Sequence, residues 1–272
     1  MIPAAFDYRA AASAEEALSL LSEHGDEAKL LAGGHSLLPL MKLRLAQPEL
    51  LIDLGDVADL SYIDDRDDHV AVGALTRHRD VERSALLGTS VPLLAHAAGH
   101  VGDPQVRNRG TLGGALAHGD PASDLPAVTL ASGATMVIRG ASGEREVTAQ
   151  DFFTGFRETA IAADELLIEI KFPKVTGGGW SFQKFNRRAQ DWAIVGCAVQ
   201  AGDGGGVALV NMGPQPTLAA AATAALRSGA TPDEVGQAAA DESDPPDELN
   251  ADPAYRRHLA QVLVSRAVAE AG

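Results

Sequence analysis

Two glycine-rich turns hold the residues whose types and spacing best suit chemistry. The first, LLAGGHSLLPLMKLRL (31–46), places glycines 33–34 and Ser36 between an aliphatic segment and a predicted helix. Glycine lets a ligand approach the backbone closely, and the free N–H groups of such a turn can bind an anion. Lys42 and Arg44 add positive charge nearby. The segment predicts an anion-binding cradle, with a plain tight turn as the alternative.

The second turn lies in RNRGTLGGALAHGDPASD (107–124). It has three glycines within five positions, 110, 113 and 114, together with the hydroxyls of Thr111 and Ser123. It ends where a helix is predicted over 124–133, with Asp124 as its N-cap. Two such loops suggest a long ligand that bears phosphates and polar groups, such as a dinucleotide. Two unrelated structural turns are the alternative.

A third segment, FQKFNRRAQDWA (182–193), concentrates basic residues in an acidic chain. Lys184 could meet a phosphate or a flavin carbonyl, and Trp192 could lie beside a ring system. The alternative is a solvated basic edge, with Arg187 and Arg188 facing water and the indole in the core.

Several catalytic motifs are missing from the sequence. It contains no G-x-G-x-x-G after a strand, no G-x-x-x-x-G-K-[ST], no H-E-x-x-H and no G-x-S-x-G. His35, His100 and His118 lack metal-ligand spacing, and no Ser-His-Asp set can be assembled. Binding loops without an acid/base group suit a redox cofactor, because the cofactor then carries the chemistry.

The composition narrows the class of protein. The 272 residues carry a formal net charge of −15, which argues against nucleic acid as a partner. The single cysteine, Cys197, excludes an internal disulfide and cannot supply the four thiolates that an iron–sulfur cluster normally needs. The N-terminal residues lack a signal-peptide layout, and no apolar run approaches the roughly 20 residues of a membrane span. We expect a cytoplasmic protein.

The patterning predicts a chain of mixed helices and strands. A capping box at Ser13 opens a helix that ends at Gly25. Pro173 and glycines 177–179 predict a domain boundary. The other predicted elements are strands at 29–32, 50–54, 69–73, 135–139 and 166–172, helices at 76–87, 91–100 and 254–271, and three antiparallel strands at 180–187, 192–201 and 206–212.

These motifs resemble a known family. AGGHSLLPLMKLRL, TLGGALAHGDPASDLPAV, FRETAIAADELLIEIKFP and AYRRHLAQVLVSRA are similar to the FAD-binding medium subunit of molybdenum hydroxylases, a group that includes carbon monoxide dehydrogenase and relatives of xanthine dehydrogenase and aldehyde oxidase. The resemblance runs from about residue 3 to 270, and QDWA (190–193) is closer to the carbon monoxide dehydrogenase-like branch.

The resemblance implies an α+β fold in three parts. A two-lobed FAD-binding domain of the vanillyl-alcohol oxidase type would occupy 1–56 and 57–174. A C-terminal domain with a three-stranded antiparallel sheet and helices would occupy 175–272.

The resemblance also implies which residues hold FAD. The first turn would bind the pyrophosphate, Lys184 would reach the cofactor from the third domain, and Trp192, where the family often has Tyr, would lie near the isoalloxazine. Ala115 stands where relatives often carry Asn. The implied cofactor residues are Ala32, Gly33, Gly34, His35, Ser36, Leu37, Val101, Gly102, Thr111, Gly114, Ala115, Asp124, Leu167, Lys184 and Trp192.

The resemblance finally implies a role in electron transfer. Electrons from a large molybdenum-cofactor subunit would pass through the [2Fe–2S] clusters of a small subunit to FAD, and then to NAD⁺, a quinone or another acceptor, in a dimer of heterotrimers. A free-standing flavin oxidoreductase and a flavin-free scaffold subunit are the alternatives. The substrate, the acceptor and the oligomeric state of the isolated chain stay open.

Overall fold

The computed structural model describes residues 1–175 and 177–272. These residues contain fourteen strands and twelve α-helices. The strands are β1 Asp7–Ala10, β2 Ala28–Leu31, β3 Leu50–Asp53, β4 Ile63–Asp65, β5 His69–Gly73, β6 Thr135–Gly140, β7 Gly143–Thr148, β8 Phe153–Gly155, β9 Glu158–Thr159, β10 Leu166–Pro173, β11 Trp180–Phe185, β12 Val195–Gln200, β13 Val207–Val210 and β14 Thr217–Leu218. The helices are α1 Ala14–His24, α2 Leu37–Lys42, α3 His78–Arg83, α4 Ala85–Ser90, α5 Pro92–Ala98, α6 Pro104–Arg109, α7 Leu112–His118, α8 Asp124–Ala131, α9 Ala149–Phe152, α10 Ala220–Arg227, α11 Pro232–Glu242 and α12 Pro253–Ala271. Among the described residues, no helix combines the length and the apolar character needed to cross a membrane.

A small parallel sheet, in the order β1-β3-β2, forms the first lobe. The predicted helix α1 covers it: the Ser13 hydroxyl accepts the Glu16 N–H, and Gly25, with a φ of 54°, ends the helix. Its apolar stripe, including Ala17 and Leu21, is buried in the same core as the sheet. Strand β2 ends at Leu31 and delivers the chain directly into the first glycine turn.

A five-stranded antiparallel sheet, in the order β4-β5-β10-β6-β7, forms the second lobe. Helices α3, α4, α5, α7 and α8 contribute to its core, and every residue of α8 is buried. A helix that is buried on every side belongs inside a domain, and α8 packs within this core.

The prediction of one continuous helix over 76–87 is wrong. The chain forms two short helices, α3 and α4, that are separated at Ser84. Ser84 has extended backbone angles, and its hydroxyl accepts the Leu87 N–H at 3.2 Å. A serine that caps the following turn offers the backbone an alternative to helix continuation, so the helix restarts there.

The C-terminal domain carries an antiparallel sheet in the order β11-β12-β13-β14, with α10 to α12. Its central strands β12 and β13 are buried on both faces: Cys197 and Leu209 pack against the helices, while Ala198 and Val210 join the core of the second lobe. The three predicted strands are present, but shorter than expected. The sheet has four strands because β14, too short to give a pattern of its own, pairs with β13. The α+β fold class is confirmed.

Candidate functional site

A cleft of about 840 Å³ is lined by residues from both lobes and from the C-terminal domain. Its walls come from the two glycine turns, from the segment between β8 and β10, and from residues around β11. All fifteen residues implied by the resemblance line this one cleft: Ala32, Gly33, Gly34, His35, Ser36, Leu37, Val101, Gly102, Thr111, Gly114, Ala115, Asp124, Leu167, Lys184 and Trp192.

The two glycine turns pack directly against each other. A Cβ added at Gly33 would lie 2.5 Å from the Arg109 carbonyl oxygen and 2.7 Å from the Cα of Gly110, so only glycine permits this approach. Gly34 has a φ of 75°, which a side chain rarely adopts. The interpretation of the segments as two unrelated turns is therefore wrong.

The second turn is held by hydrogen bonds to its neighbours. The Thr111 hydroxyl accepts the Gly114 N–H at 3.2 Å, and the Gly113 N–H donates to the Ala74 carbonyl at 2.8 Å. A Cβ at Gly113 would lie 2.5 Å from the Ala74 Cβ. These contacts fix the turn against the end of β5. By contrast, the Ser36 side chain makes no capping bond to α2.

Asp124 and Lys184 form a buried ion pair at one wall of the cleft. Lys184 Nζ donates to Asp124 Oδ2 at 2.6 Å and to the His100 carbonyl at 3.0 Å. The predicted capping role of Asp124 is wrong, because Ser123 holds the N-cap position and Asp124 is the first residue of α8. Burial raises the pKa of Asp124, and the neighbouring ammonium of Lys184 opposes that shift. Asp124 Oδ1 is buried and makes no hydrogen bond to any described residue.

His78, which was not among the predicted site residues, also lines the cleft. Its backbone N–H donates to the Gly110 carbonyl at 3.0 Å, and a Cβ on Gly110 would lie 2.7 Å from the imidazole Cδ2. Burial, helped by His35 and Arg107, lowers the pKa of His78 to about 4, so the ring is neutral at pH 7. Nδ1 finds no hydrogen-bond partner among the described residues. A lone histidine in a predicted helix gives no signal of such a position.

A hairpin of β8 and β9 forms the opposite edge of the cleft. Arg157, at its tip, has a φ of 56° and donates to Asp120 Oδ2 at 2.6 Å. Trp192 lines the same region and is 57% exposed, so the interpretation of its indole as a core group is wrong. Arg157 could not be recognised from the sequence, because its partner lies 37 positions away.

Four basic residues considered from the sequence stay outside the cleft. Lys42 and Arg44 follow the first turn, and Arg187 and Arg188 follow β11; all four are exposed, and none lines the cleft. Among the lysines and arginines of 31–46 and 182–193, Lys184 is therefore the one that lines the cleft.

The cleft fits a dinucleotide better than a metal ion. It offers glycine backbone, hydroxyls at Ser36 and Thr111, and unpartnered buried atoms at His78 and Asp124. Among the described residues, no group of three or more His, Cys, Asp or Glu side chains is arranged to hold a metal. Buried polar atoms normally have partners, so these two unpartnered atoms support a polar ligand in the cleft.

Two family models match the chain. Residues 4–175 match the FAD binding domain in molybdopterin dehydrogenase. Residues 180–271 match the CO dehydrogenase flavoprotein C-terminal domain.

Known proteins match the chain over most of its length. The carbon monoxide dehydrogenase medium chain of Hydrogenophaga pseudoflava is 42% identical, over 98% of this chain and 97% of that one. The 6-hydroxypseudooxynicotine dehydrogenase complex subunit alpha of Paenarthrobacter nicotinovorans is 42% identical, over 73% of this chain and 67% of that one. Among solved structures, carbon monoxide dehydrogenase from Hydrogenophaga pseudoflava, in a form that lacks the Mo-pyranopterin moiety, matches with a TM-score of 0.93 and 43% identity. That match covers 100% of this chain and 98% of the solved chain.

Proposed function

The chain belongs to the FAD-binding medium subunits of the molybdenum hydroxylases, and we propose that it transfers electrons within such a complex. Its cofactor is FAD, and the chain is an oxidoreductase subunit. The resemblance seen in the sequence is confirmed. We propose that electrons arrive from the [2Fe–2S] clusters of a partner subunit and leave through FAD to an external acceptor.

The observation that carries the proposal is the convergence of fifteen cleft residues from three separate parts of the chain. The packed turns at Gly33 and Gly110 would cradle the diphosphate with backbone N–H groups. Ser36 would add a hydroxyl donor. Lys184 and Asp124 would close the wall formed with the C-terminal domain.

The chain's own residues bind and orient the cofactor in this proposal. Bound FAD would supply the redox chemistry by accepting and releasing electrons. The His78 ring packs against Gly110 and so supports the second glycine turn. Trp192, exposed at the cleft edge, would lie beside the ring system.

The single cysteine supports the placement of the iron–sulfur clusters on another subunit. Cys197 is fully buried, and burial raises the pKa of its thiol to about 12. Since the metal ligand is the thiolate, this residue is unsuited to bind iron. We therefore propose a small [2Fe–2S] subunit and a large molybdenum-cofactor subunit as partners, assembled as a dimer of heterotrimers.

We also propose the division of the chain into 1–56, 57–174 and 175–272. The strands of the parallel sheet all fall in the first range, those of the five-stranded sheet in the second, and those of the C-terminal sheet in the third.

The test is an absorption spectrum of the purified chain before and after incubation with FAD and desalting. We expect two flavin bands in the visible region, either in the chain alone or after co-expression with a small iron–sulfur subunit. Absence of both bands under both conditions would overturn the proposal and favour a flavin-free scaffold.

A further inference from the structure

The turn that ends α2 leaves both apolar and basic side chains in water. Leu43 is 54% exposed and Leu45 is 74% exposed. Lys42 and Arg44 alternate with these leucines and are exposed as well, and none of the four lines the cofactor cleft. We call residues 42–45 the basic–apolar turn. Large apolar side chains that are exposed next to one another mark surfaces that bind other molecules.

Two hydrogen bonds fix the backbone of the basic–apolar turn. The Arg44 N–H donates to the Met41 carbonyl at 2.9 Å, and the Leu45 N–H donates to the Leu40 carbonyl at 2.9 Å. This is the Schellman pattern that ends many helices. The turn is therefore shaped by α2 itself, before any partner binds.

The basic–apolar turn departs twice from what local stability favours. Arg44 has a φ of 59°, at the position of the Schellman pattern where glycine is usual. The apolar residue that follows normally packs back on the helix, but Leu45 stays mostly exposed. Residues that break local rules in this way concentrate at functional sites. Both departures therefore indicate a role in binding.

The charge of the turn is not balanced within the chain. Residues 28–48 contain no Asp or Glu, although the whole chain carries 37 of them and a net charge of −15. Lys42 and Arg44 make no ion pair with any residue that the structure describes. A surface that complements this turn would present carboxylates around an apolar pocket.

The basic–apolar turn adjoins the wall of the cofactor cleft. Leu37 and Leu40 belong to the same helix and line the cleft, and the Leu40 carbonyl accepts the Leu45 N–H. A partner seated on the turn therefore contacts the element that forms part of this wall. Such a position suits a protein that exchanges electrons with a cofactor in the cleft.

We propose that the basic–apolar turn is a docking surface for the small [2Fe–2S] subunit, whose contacting face carries carboxylates around an apolar pocket. The proposal rests on the function proposed above and names the surface that the electron donor uses. Arg44 pairs with a carboxylate of the partner. Leu43 and Leu45, on either side of Arg44, leave water and enter the apolar pocket.

Binding is measured by titrating the purified small [2Fe–2S] subunit with the full chain and FAD in a calorimeter, with the large subunit titrated in parallel. We expect Arg44→Glu and Leu45→Asp each to weaken binding of the small subunit by about ten-fold or more. Arg266→Glu and Leu249→Asp, at an exposed arginine and an exposed leucine of the C-terminal domain, are the matched controls and should bind normally.

Arg44→Gly separates docking from a structural role. Glycine adopts the left-handed backbone angles of position 44 without strain, so this variant should unfold at the wild-type temperature or above it. It should nevertheless bind the small subunit about five-fold or more weakly, because it lacks the guanidinium. Its affinity should also fall less than that of the wild type as the NaCl concentration rises.

The behaviour of the wild-type chain separates this proposal from the proposed function. If the wild type binds the small subunit and Arg44→Glu, Leu45→Asp and Arg44→Gly bind it equally well, the docking surface is overturned and the electron-transfer role is left intact. Equal loss of binding in the two controls, or loss of binding to the large subunit alone, also overturns the docking surface. A wild-type chain that does not bind the small subunit overturns both proposals.

Discussion

The ammonium of Lys184 lies 2.6 Å from the carboxylate of Asp124, and the two residues, 60 positions apart, belong to different domains. Both side chains are more than nine-tenths buried, at 7% and 6% exposure. A pair this deep in the molecule is costly to break, since removal of one partner leaves a buried charge without compensation.

We therefore expect Asp124→Ala and Lys184→Met each to destabilise the chain by about 3–5 kcal/mol. The double variant should cost less than the sum of the two, because it leaves no unpaired charge. Denaturant unfolding of the four proteins measures this coupling. Additive effects would show that the two groups do not interact. Lys174→Met, which removes a more exposed pair with Asp65, serves as the control.

Gly34→Val should abolish FAD binding. Gly34 has a φ of 75°, and its added Cβ would lie 2.9 Å from Leu38 Cδ1, so a β-branched residue distorts the first turn. The backbone strain alone costs roughly 1–3 kcal/mol. The measurement is flavin absorbance per chain after desalting. Gly88→Val, at a helical glycine with open space around it, should keep its flavin. A folded Gly34→Val protein with full flavin content would refute the role of the first turn as an anion-binding cradle.

His78 should make stability depend on pH. Its folded-state pKa of about 4 lies below the model-compound value of 6.5, so the unfolded chain binds more protons between these values. Stability from this group is fully present above pH 6.5 and is lost as the pH falls towards 4, by up to about 3 kcal/mol. Unfolding curves at pH 7, 6 and 5 test this. His78→Gln should flatten the dependence, while His258→Gln, at an exposed histidine, should not.

Cys197 should be unreactive in the native chain. It is fully buried in β12, and its pKa is raised to about 12. Labelling with a thiol-specific disulfide reagent at pH 8 should require unfolding of the C-terminal domain, and its rate should rise with denaturant. Rapid stoichiometric labelling without denaturant would contradict this placement.

The sequence contained enough information for much of the fold and for most of the cleft. The glycine turns could be identified because glycine at Gly33 and Gly34 has a local physical reason, and α1 because its cap and stripe are local patterns. Sequence patterns also located β10 and β12 to within a few residues.

What escaped prediction depends on contacts between distant segments. Asp124 looked like a helix cap because caps are recognised from neighbouring residues, whereas its true partner comes from β11. His78 acquires its role by packing on Gly110, and Arg157 by reaching Asp120. Each of these pairs forms only when the tertiary fold brings its members together.

Because the Asp124–Lys184 ion pair joins two domains, it limits which chimeras can be made between this subunit and its relatives. A chimera that joins residues 1–174 of this chain to the C-terminal domain of a relative keeps the buried carboxylate of Asp124. The relative's domain must then supply the ammonium that pairs with it. The two halves therefore have to be exchanged as a matched set, and inheritance of the glycine turns alone does not carry the complete binding site with it.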